Sequence, residues 1–203
     1  MTTELYFSVD IEADGRVPGL SSMLSFGSAA FTIDKQVVGS FSANLDLLED
    51  AMPDPETMAW WGKNQRAFEA TREDTRAPAA AMEAFEAHIA GLAKEHGRPV
   101  FMGYPGTYDF GWINWYFHRF LGRNPFGISA LCLKSYGMAM QAGDFRRAIK
   151  RRFPQRWFDR LPHTHVALDD AIEQGAMGIN MLRESRGLEQ VTGIPDGNWR
   201  SSK

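Results

Sequence analysis

The stretch Leu5-Tyr6-Phe7-Ser8-Val9-Asp10-Ile11-Glu12-Ala13-Asp14-Gly15 is an apolar run that ends on two carboxylates. Read as a strand, it turns successive side chains to opposite faces, so Asp10 and Glu12 project from the same one. Two acids side by side repel each other unless a positive charge lies between them, and hard divalent cations prefer carboxylate oxygen. The alternative is a solvated turn that begins at Asp14-Gly15. Spacing alone does not choose between these readings. Asp54-Pro55-Glu56 has the same spacing and reads fully as a helix start, with Asp54 as N-cap, Pro55 at the first helical position and Glu56 in the first turn.

Outward from that strand, Met23 to Phe31 reads as a second strand whose small residues allow close packing. Ile33-Asp34-Lys35 is a tight connection, and Val37 to Leu45 is a third strand in a hairpin meander. The period then changes. The helix from Asp54 continues through Met58, Trp60, Trp61 and Phe68, with the paired tryptophans assigned to core or interface. Pro78 opens a helix with Met82, Phe85, Ile89 and Leu92 on one face and a stop at His96-Gly97. Pro99 to Tyr104 is a short strand, expected to be buried on both faces. An aromatic helix through Trp112, Tyr116 and Phe120 follows, with Asp109 at its start. Ala130 to Leu133 is a fifth strand, followed by a helix to Ala142, and a final helix runs from Ala167 to about Arg186. The sum is an α/β fold: a mixed five-stranded sheet flanked by helices.

The chain has 203 residues, 44% of them hydrophobic and 23% charged, which fits one soluble domain with a sizeable core. We read residues 1–203 as a single domain with a core of about 4–186 and a polar, mobile tail at 195–203. The apolar runs are too short for a membrane span, and Met1-Thr2-Thr3-Glu4 lacks the features of a signal peptide. Cys132 is the only cysteine, which excludes an intramolecular disulfide and a cysteine-based zinc site, and it is assigned to buried packing. A cytoplasmic location is the expectation. The net charge of −3 hides an asymmetry: residues 145–160 carry +6, so the rest carries −9. Arg146, Arg147, Lys150, Arg151, Arg152, Arg156 and Arg160 alternate there with Phe145, Phe153, Trp157 and Phe158. That pattern fits a phosphate backbone with stackable bases, or a solvated amphipathic helix with a basic face.

No serine sits on a Gly-x-Ser-x-Gly elbow, and Gly103-Tyr104-Pro105-Gly106 lacks the Gly-Lys-Ser/Thr ending of a phosphate-binding loop. What remains is an ordered set: Asp10 and Glu12, then Asp109 at a helix start after a strand, then His165 and Asp170 entering the last helix. His163 competes with His165, and Asp169 with Asp170; the five-residue interval favours the pair His165 and Asp170. Asp14 is assigned to a turn, with an outer-shell role as its alternative. His88, His96 and His118 have no acid at a useful spacing and are assigned to structural or surface roles.

In this order the residues resemble the histidine-bearing (DEDDh) branch of the DEDD 3′→5′ exonucleases, on an RNase H-like fold. Asp10 and Glu12 match the first motif, Asp109 the second, and His165 with Asp170 the third; the resemblance covers about residues 4–186. Thr57-Met58-Ala59-Trp60-Trp61, with Gln65 after it, resembles a mycobacterial-type exoribonuclease subgroup. The resemblance implies two divalent ions about 3.5–4 Å apart, relieving charge on the attacking and leaving oxygens. Asp10 would bridge them, Glu12 and Asp170 would complete the site of the ion carrying the attacking water, and Asp109 would support the second. Mg²⁺ is the implied cofactor, and Mn²⁺ fits the same ligands. His165 would be the general base, since an imidazole pKa near 6.5 suits neutral pH. The implied reaction releases nucleoside 5′-monophosphates from a 3′ end. Single-stranded RNA is the first expectation, and single-stranded DNA or a short oligonucleotide the alternative. The partner is that 3′ end, with no membrane. A homodimer is implied too, in which the Trp60-Trp61 helix or the basic segment completes the partner's substrate path. A catalytically silent nucleic-acid-binding module is the rival from another class.

Overall fold

The computed structural model describes residues 3–161 and 164–194. His163 and the polar tail at 195–203 lie outside the described residues. Strand β1 (Glu4–Ala13) is the middle of a five-stranded sheet. Its neighbours are β2 (Met23–Phe31) on one side and β4 (Arg98–Gly103) on the other, with β3 (Val37–Asn44) and β5 (Leu131–Cys132) at the edges. The β1–β2 and β2–β3 pairs are antiparallel, while β1–β4 and β4–β5 are parallel. The sheet is therefore mixed, as expected.

The helices cover both faces because β1 alternates. Leu5, Phe7, Val9, Ile11 and Ala13 join a core with residues of α3 (Pro78–His96) and α4 (Gly106–Leu121). Tyr6 lies on the other face, where Ala29, Phe31 and Met102 pack with the apolar side of α6 (Ala167–Ser185). Asp10 and Glu12 share Tyr6's parity, so they face the start of α6. Helix α6 lies close because Gly175 offers no side chain: a Cβ there would sit 2.3 Å from a Phe31 ring carbon and 2.8 Å from Ser8 Cβ. Behind the acids, Gln174 Nε2 donates to the Val9 carbonyl at 2.8 Å.

Several local expectations change. The helix opened by Asp54 breaks into α1 (Pro55–Trp61) and α2 (Gln65–Ala70), because Gly62, a poor helix former, ends the first piece. Strand β4 is fully buried only over Phe101–Gly103, since its first residues pair with Glu4 and Leu5 at the open end of the sheet. Cys132 is only partly buried. It belongs to a two-residue edge strand with β4 on one side, and α5 (Leu133–Met140) begins at once. Residues 145–160 are not a helix but three 3₁₀ turns, Phe145–Arg147, Lys150–Arg152 and Gln155–Trp157. Phe153 and Trp157 are buried there rather than offered to bases.

Candidate active site

The C-terminal ends of β1 and β4 and the start of α6 converge on one group of carboxylates. Asp10 and Glu12 come from the last residues of β1. Asp109 stands in the first turn of α4, directly after β4, and is 3% exposed. Asp170 stands in the first turn of α6 and is 2% exposed. The backbone N–H of Ile11, between the two other acids on β1, partly offsets the effect of burial on the Asp109 carboxyl. Asp109 Oδ2 is buried with no hydrogen-bond partner among the described residues.

The closeness of Asp10 to α6 depends on a glycine. Gly27 pairs with Asp10 across β1 and β2. A Cβ on Gly27 would lie 2.3 Å from the Leu168 nitrogen and 2.4 Å from the Ala167 carbonyl carbon. Any other residue there would push the helix start, and Asp170 with it, off the sheet.

Asp170 also shapes the loop before its helix. Its Oδ1 accepts the Thr164 N–H at 2.9 Å and its Oδ2 the His165 N–H at 3.1 Å. His165 sits in the left-handed region, at φ 58°, a conformation costly for a residue with a Cβ. The five-residue interval from His165 to Asp170 is therefore a local hydrogen-bonded turn. Atoms of Glu12, His165 and Asp170 lie within 4.8 Å of one another. Trp60 packs edge-on against His165, with ring centroids 5.1 Å apart and planes at 88°. Trp60 is 40% exposed, whereas Trp61 is buried and its Nε1 donates to the Ala13 carbonyl at 2.9 Å. One tryptophan holds α1 to the end of β1, and the other walls the histidine. A cavity of about 790 Å³ opens beside it, lined by Gln65, Arg66, Thr164, His165 and Asp169.

The competing residues are placed elsewhere. Asp169 is exposed and accepts the Thr164 hydroxyl at 3.1 Å. Asp14 is buried and accepts the Ser22 N–H at 2.6 Å, a turn-holding contact; burial pushes its carboxyl up. Three neighbours have roles at this site that the sequence does not assign them, although Trp60 is read there with Trp61 as core, interface or part of a partner's substrate path. Gly27 and Trp60 depend on strand register and helix approach, which one sequence does not display. Lys150 was noticed only as part of a charge run. It contacts Glu173 and lies 5.4 Å from the centroid of the Tyr104 ring, which brings its charge to bear on Asp10 and Asp109.

The electrostatics call for a cation. Burial first, then Asp170 and Asp109, push the Glu12 carboxyl up to about 8. Burial pushes Asp109 up to about 7, and burial with the charges of Asp109, Glu12 and Asp170 holds Asp10 well above the usual carboxylate range. Acids this close are hard to ionise together without positive charge. The donor set is hard oxygen and Asp109 Oδ2 is orphaned, so the residues fit a divalent metal. Asp10, Glu12, Asp109 and Asp170 would hold it.

The comparisons with known proteins bear on this geometry. No protein-family model matches the chain. It is 34% identical over 191 residues to the 3′-5′ DNA exonuclease Cap18 of Escherichia coli, covering 92% of this chain and 97% of that protein. This chain belongs to the DEDDh family of 3′→5′ exonucleases. Among solved structures, the nuclease domain of 3′hExo, a DEDDh family member bound to rAMP, superimposes with a TM-score of 0.66 at 8% identity, covering 95% of this chain and 98% of that one. The zinc-bound form of the Escherichia coli ExoI–ssDNA complex gives a TM-score of 0.59 at 20% identity, covering 92% of this chain and 41% of that one. Both likenesses are of fold, and they agree with the mixed sheet flanked by helices.

Proposed function

We propose that this DEDDh exonuclease removes nucleotides from the 3′ end of single-stranded DNA, releasing nucleoside 5′-monophosphates with the help of two Mg²⁺ ions, for which Mn²⁺ is a fitting substitute. The convergence of Glu12, His165 and Asp170 within 4.8 Å, beside the buried acids Asp10 and Asp109, carries the reading. DNA takes the place of RNA as the first substrate because Cap18, 34% identical over 92% of this chain, is a DNA exonuclease. The expectation of RNA rested on Thr57 to Trp61 and Gln65. In the fold Trp61 is a core anchor and Trp60 walls His165, and neither role selects a sugar.

Bound divalent cations would relieve the charge on the attacking and leaving oxygens of an in-line displacement. The chain's own residues do the rest. His165 takes the proton from the attacking water. Asp170, through the His165 N–H, fixes the loop from which the imidazole works. Trp60 shelters that imidazole from bulk water on one side.

The test is degradation of matched single-stranded DNA and RNA, each with a free or blocked 3′ end, in Mg²⁺ or Mn²⁺. The expected result is stepwise loss of 5′-monophosphates from free 3′ ends, faster on DNA, and abolished by EDTA. Cleavage of a circular strand, or undiminished activity without metal, would overturn the exonuclease reading. Faster loss from RNA would overturn only the sugar preference. The implied homodimer is checked by the mass of the protein in solution.

A further inference from the structure

The basic segment is held far more firmly than its short turns would require. Phe153 and Trp157 are buried against α6. Asn180 Nδ2 donates to the Trp157 carbonyl at 3.0 Å, and Trp157 Nε1 donates to Glu184 at 2.7 Å. At the far end, Asp159 meets the fully buried Lys35 at 2.5 Å. Phe153 and Trp157 thus serve packing, while Phe145 and the charges are left outside.

Those charges are largely uncompensated. Arg156 is bound by Glu184, and Lys150 by Glu173. Arg146, Arg147, Arg151, Arg152 and Arg160 are exposed, and none has an acidic partner among the described residues. Arg147 and Arg152 line a cavity of about 430 Å³ with Gln141 and Asp144. Arg151 and Arg160 line another of about 340 Å³, and Lys150 and Glu173 line that same cavity. Lys150, whose charge bears on Asp10 and Asp109, links the second cavity to the carboxylate group. The cationic surface therefore begins at the reaction centre and leads away from it. Clustered like charges of this kind repel each other unless a polyanion lies across them.

We infer that residues 145–160 form a cationic track, starting at Lys150 and continuing over Arg151, Arg160, Arg147 and Arg152, that holds the phosphates of the substrate strand 5′ of the bond being cut. The inference rests on the proposed exonuclease function and adds where the rest of the strand lies. Exposed guanidinium groups fixed on a rigid anchor bind backbone phosphates without reading sequence. A dinucleotide extends no further than Lys150 and leaves Arg147, Arg151, Arg152 and Arg160 untouched; a strand of about fifteen nucleotides covers the whole track.

The experiment compares wild type with a variant carrying Arg147→Gln, Arg151→Gln, Arg152→Gln and Arg160→Gln, using Arg98→Gln as a control outside the segment. The substrates are a DNA dinucleotide and a 15-mer, over a range of salt concentrations. On the 15-mer, kcat/KM is expected to fall about 10–100-fold, and the slope of log kcat/KM against log salt to flatten by about 0.7 for each phosphate no longer neutralised. Dinucleotide turnover is expected to stay within about twofold. Equal losses on both substrates, or an unchanged length and salt dependence, would overturn the track. Should the fourfold variant unfold, the pairs Arg147→Gln/Arg152→Gln and Arg151→Gln/Arg160→Gln test the two cavities separately by the same criteria. A wild type inactive on every substrate would instead break the proposed function. The salt slope of binding to a 15-mer with a non-hydrolysable 3′ linkage then decides the track by itself.

Discussion

The tripeptides Asp10-Ile11-Glu12 and Asp54-Pro55-Glu56 have the same acids at the same spacing and opposite electrostatic fates. Asp54 stands at the open start of α1, where its carboxylate accepts the Thr57 hydroxyl at 2.7 Å and the Thr57 N–H at 2.9 Å. Those donors hold its carboxyl below the ordinary value. Glu56 is exposed and pairs with Arg16. Asp10 and Glu12 end a strand beneath α6, short of donors and facing two further buried acids, and both carboxyls are pushed up. The difference comes from what the fold places opposite each pair. A helix start supplies N–H groups and completes its acids; a sheet end under a second helix supplies more acids and leaves the set waiting for a cation.

The most direct way to break the comparison is to neutralise one acid of each pair. Asp10→Asn is expected to lower kcat by about a thousandfold or more, since it removes a charge central to transition-state stabilisation. Asp54→Asn keeps an acceptor at the cap and should leave kcat within about twofold. Steady-state rates on a single-stranded DNA oligomer decide it. Comparable losses in the two variants would mean that the α1 start belongs to the reaction centre.

Next in size is His165→Ala, with an expected loss of about 10²–10⁴-fold in kcat, the usual contribution of a positioned general base. Metal binding should survive, because Asp170 and the other acids remain. Isothermal titration with Mn²⁺ separates the two effects; abolished Mn²⁺ binding would make His165 a ligand rather than a base.

Gly27→Val asks whether the crowding of acids depends on the close approach of α6. The added side chain collides with backbone at Ala167 and Leu168. A displacement of about 1 Å at the reacting groups costs about a hundredfold in rate. The expected signature is a fall in kcat with a lowered unfolding midpoint, whereas Gly91→Ala, with open space at its Cβ position, should change kcat little. Full activity in Gly27→Val would show that Asp170 reaches its place without help from the strand.

What was legible in one sequence follows from range. Period-two alternation put Asp10 and Glu12 on one face, and the interval between His165 and Asp170 was readable because both lie in one hydrogen-bonded turn. Asp109 was readable as the first acid of a helix after a strand. The break at Gly62 and the two-residue length of β5 were missed because local propensity sets element boundaries only loosely. Cys132 was placed too deep because nothing between Leu131 and Leu133 announces a sheet edge. Gly27, Trp60 and Lys150 reach the site across 17, 105 and 140 positions from Asp10, His165 and Asp10, respectively, and only the register and the helix docking bring them there. The sugar preference is illegible for another reason: a 2′-OH contact leaves no pattern of spacing.

The smallest expected effect is the most diagnostic of the contrast in sign. In the metal-free protein, Glu12 holds its proton up to about 8, whereas the unfolded chain releases it near 4.5. Between those values the folded state binds more protons than the unfolded state, so stability falls as pH rises through this window. Asp10 and Asp109 act in the same direction. Asp54 acts oppositely: its lowered carboxyl contributes stability that is present above the unfolded value and lost only as pH drops below about 4. The unfolding midpoint in EDTA should therefore decline by several degrees from pH 5.5 to 8.5, and Glu12→Gln should flatten that decline, while Asp54→Asn should alter only the acid limb. Mg²⁺ should raise the midpoint more at pH 8.5 than at 5.5, because ligands already ionised need release no proton to bind it. A decline unaltered by Glu12→Gln, with Mg²⁺ stabilising equally at both pH values, would mean that these acids are not held protonated by one another, and the opposition between the two tripeptides would be lost.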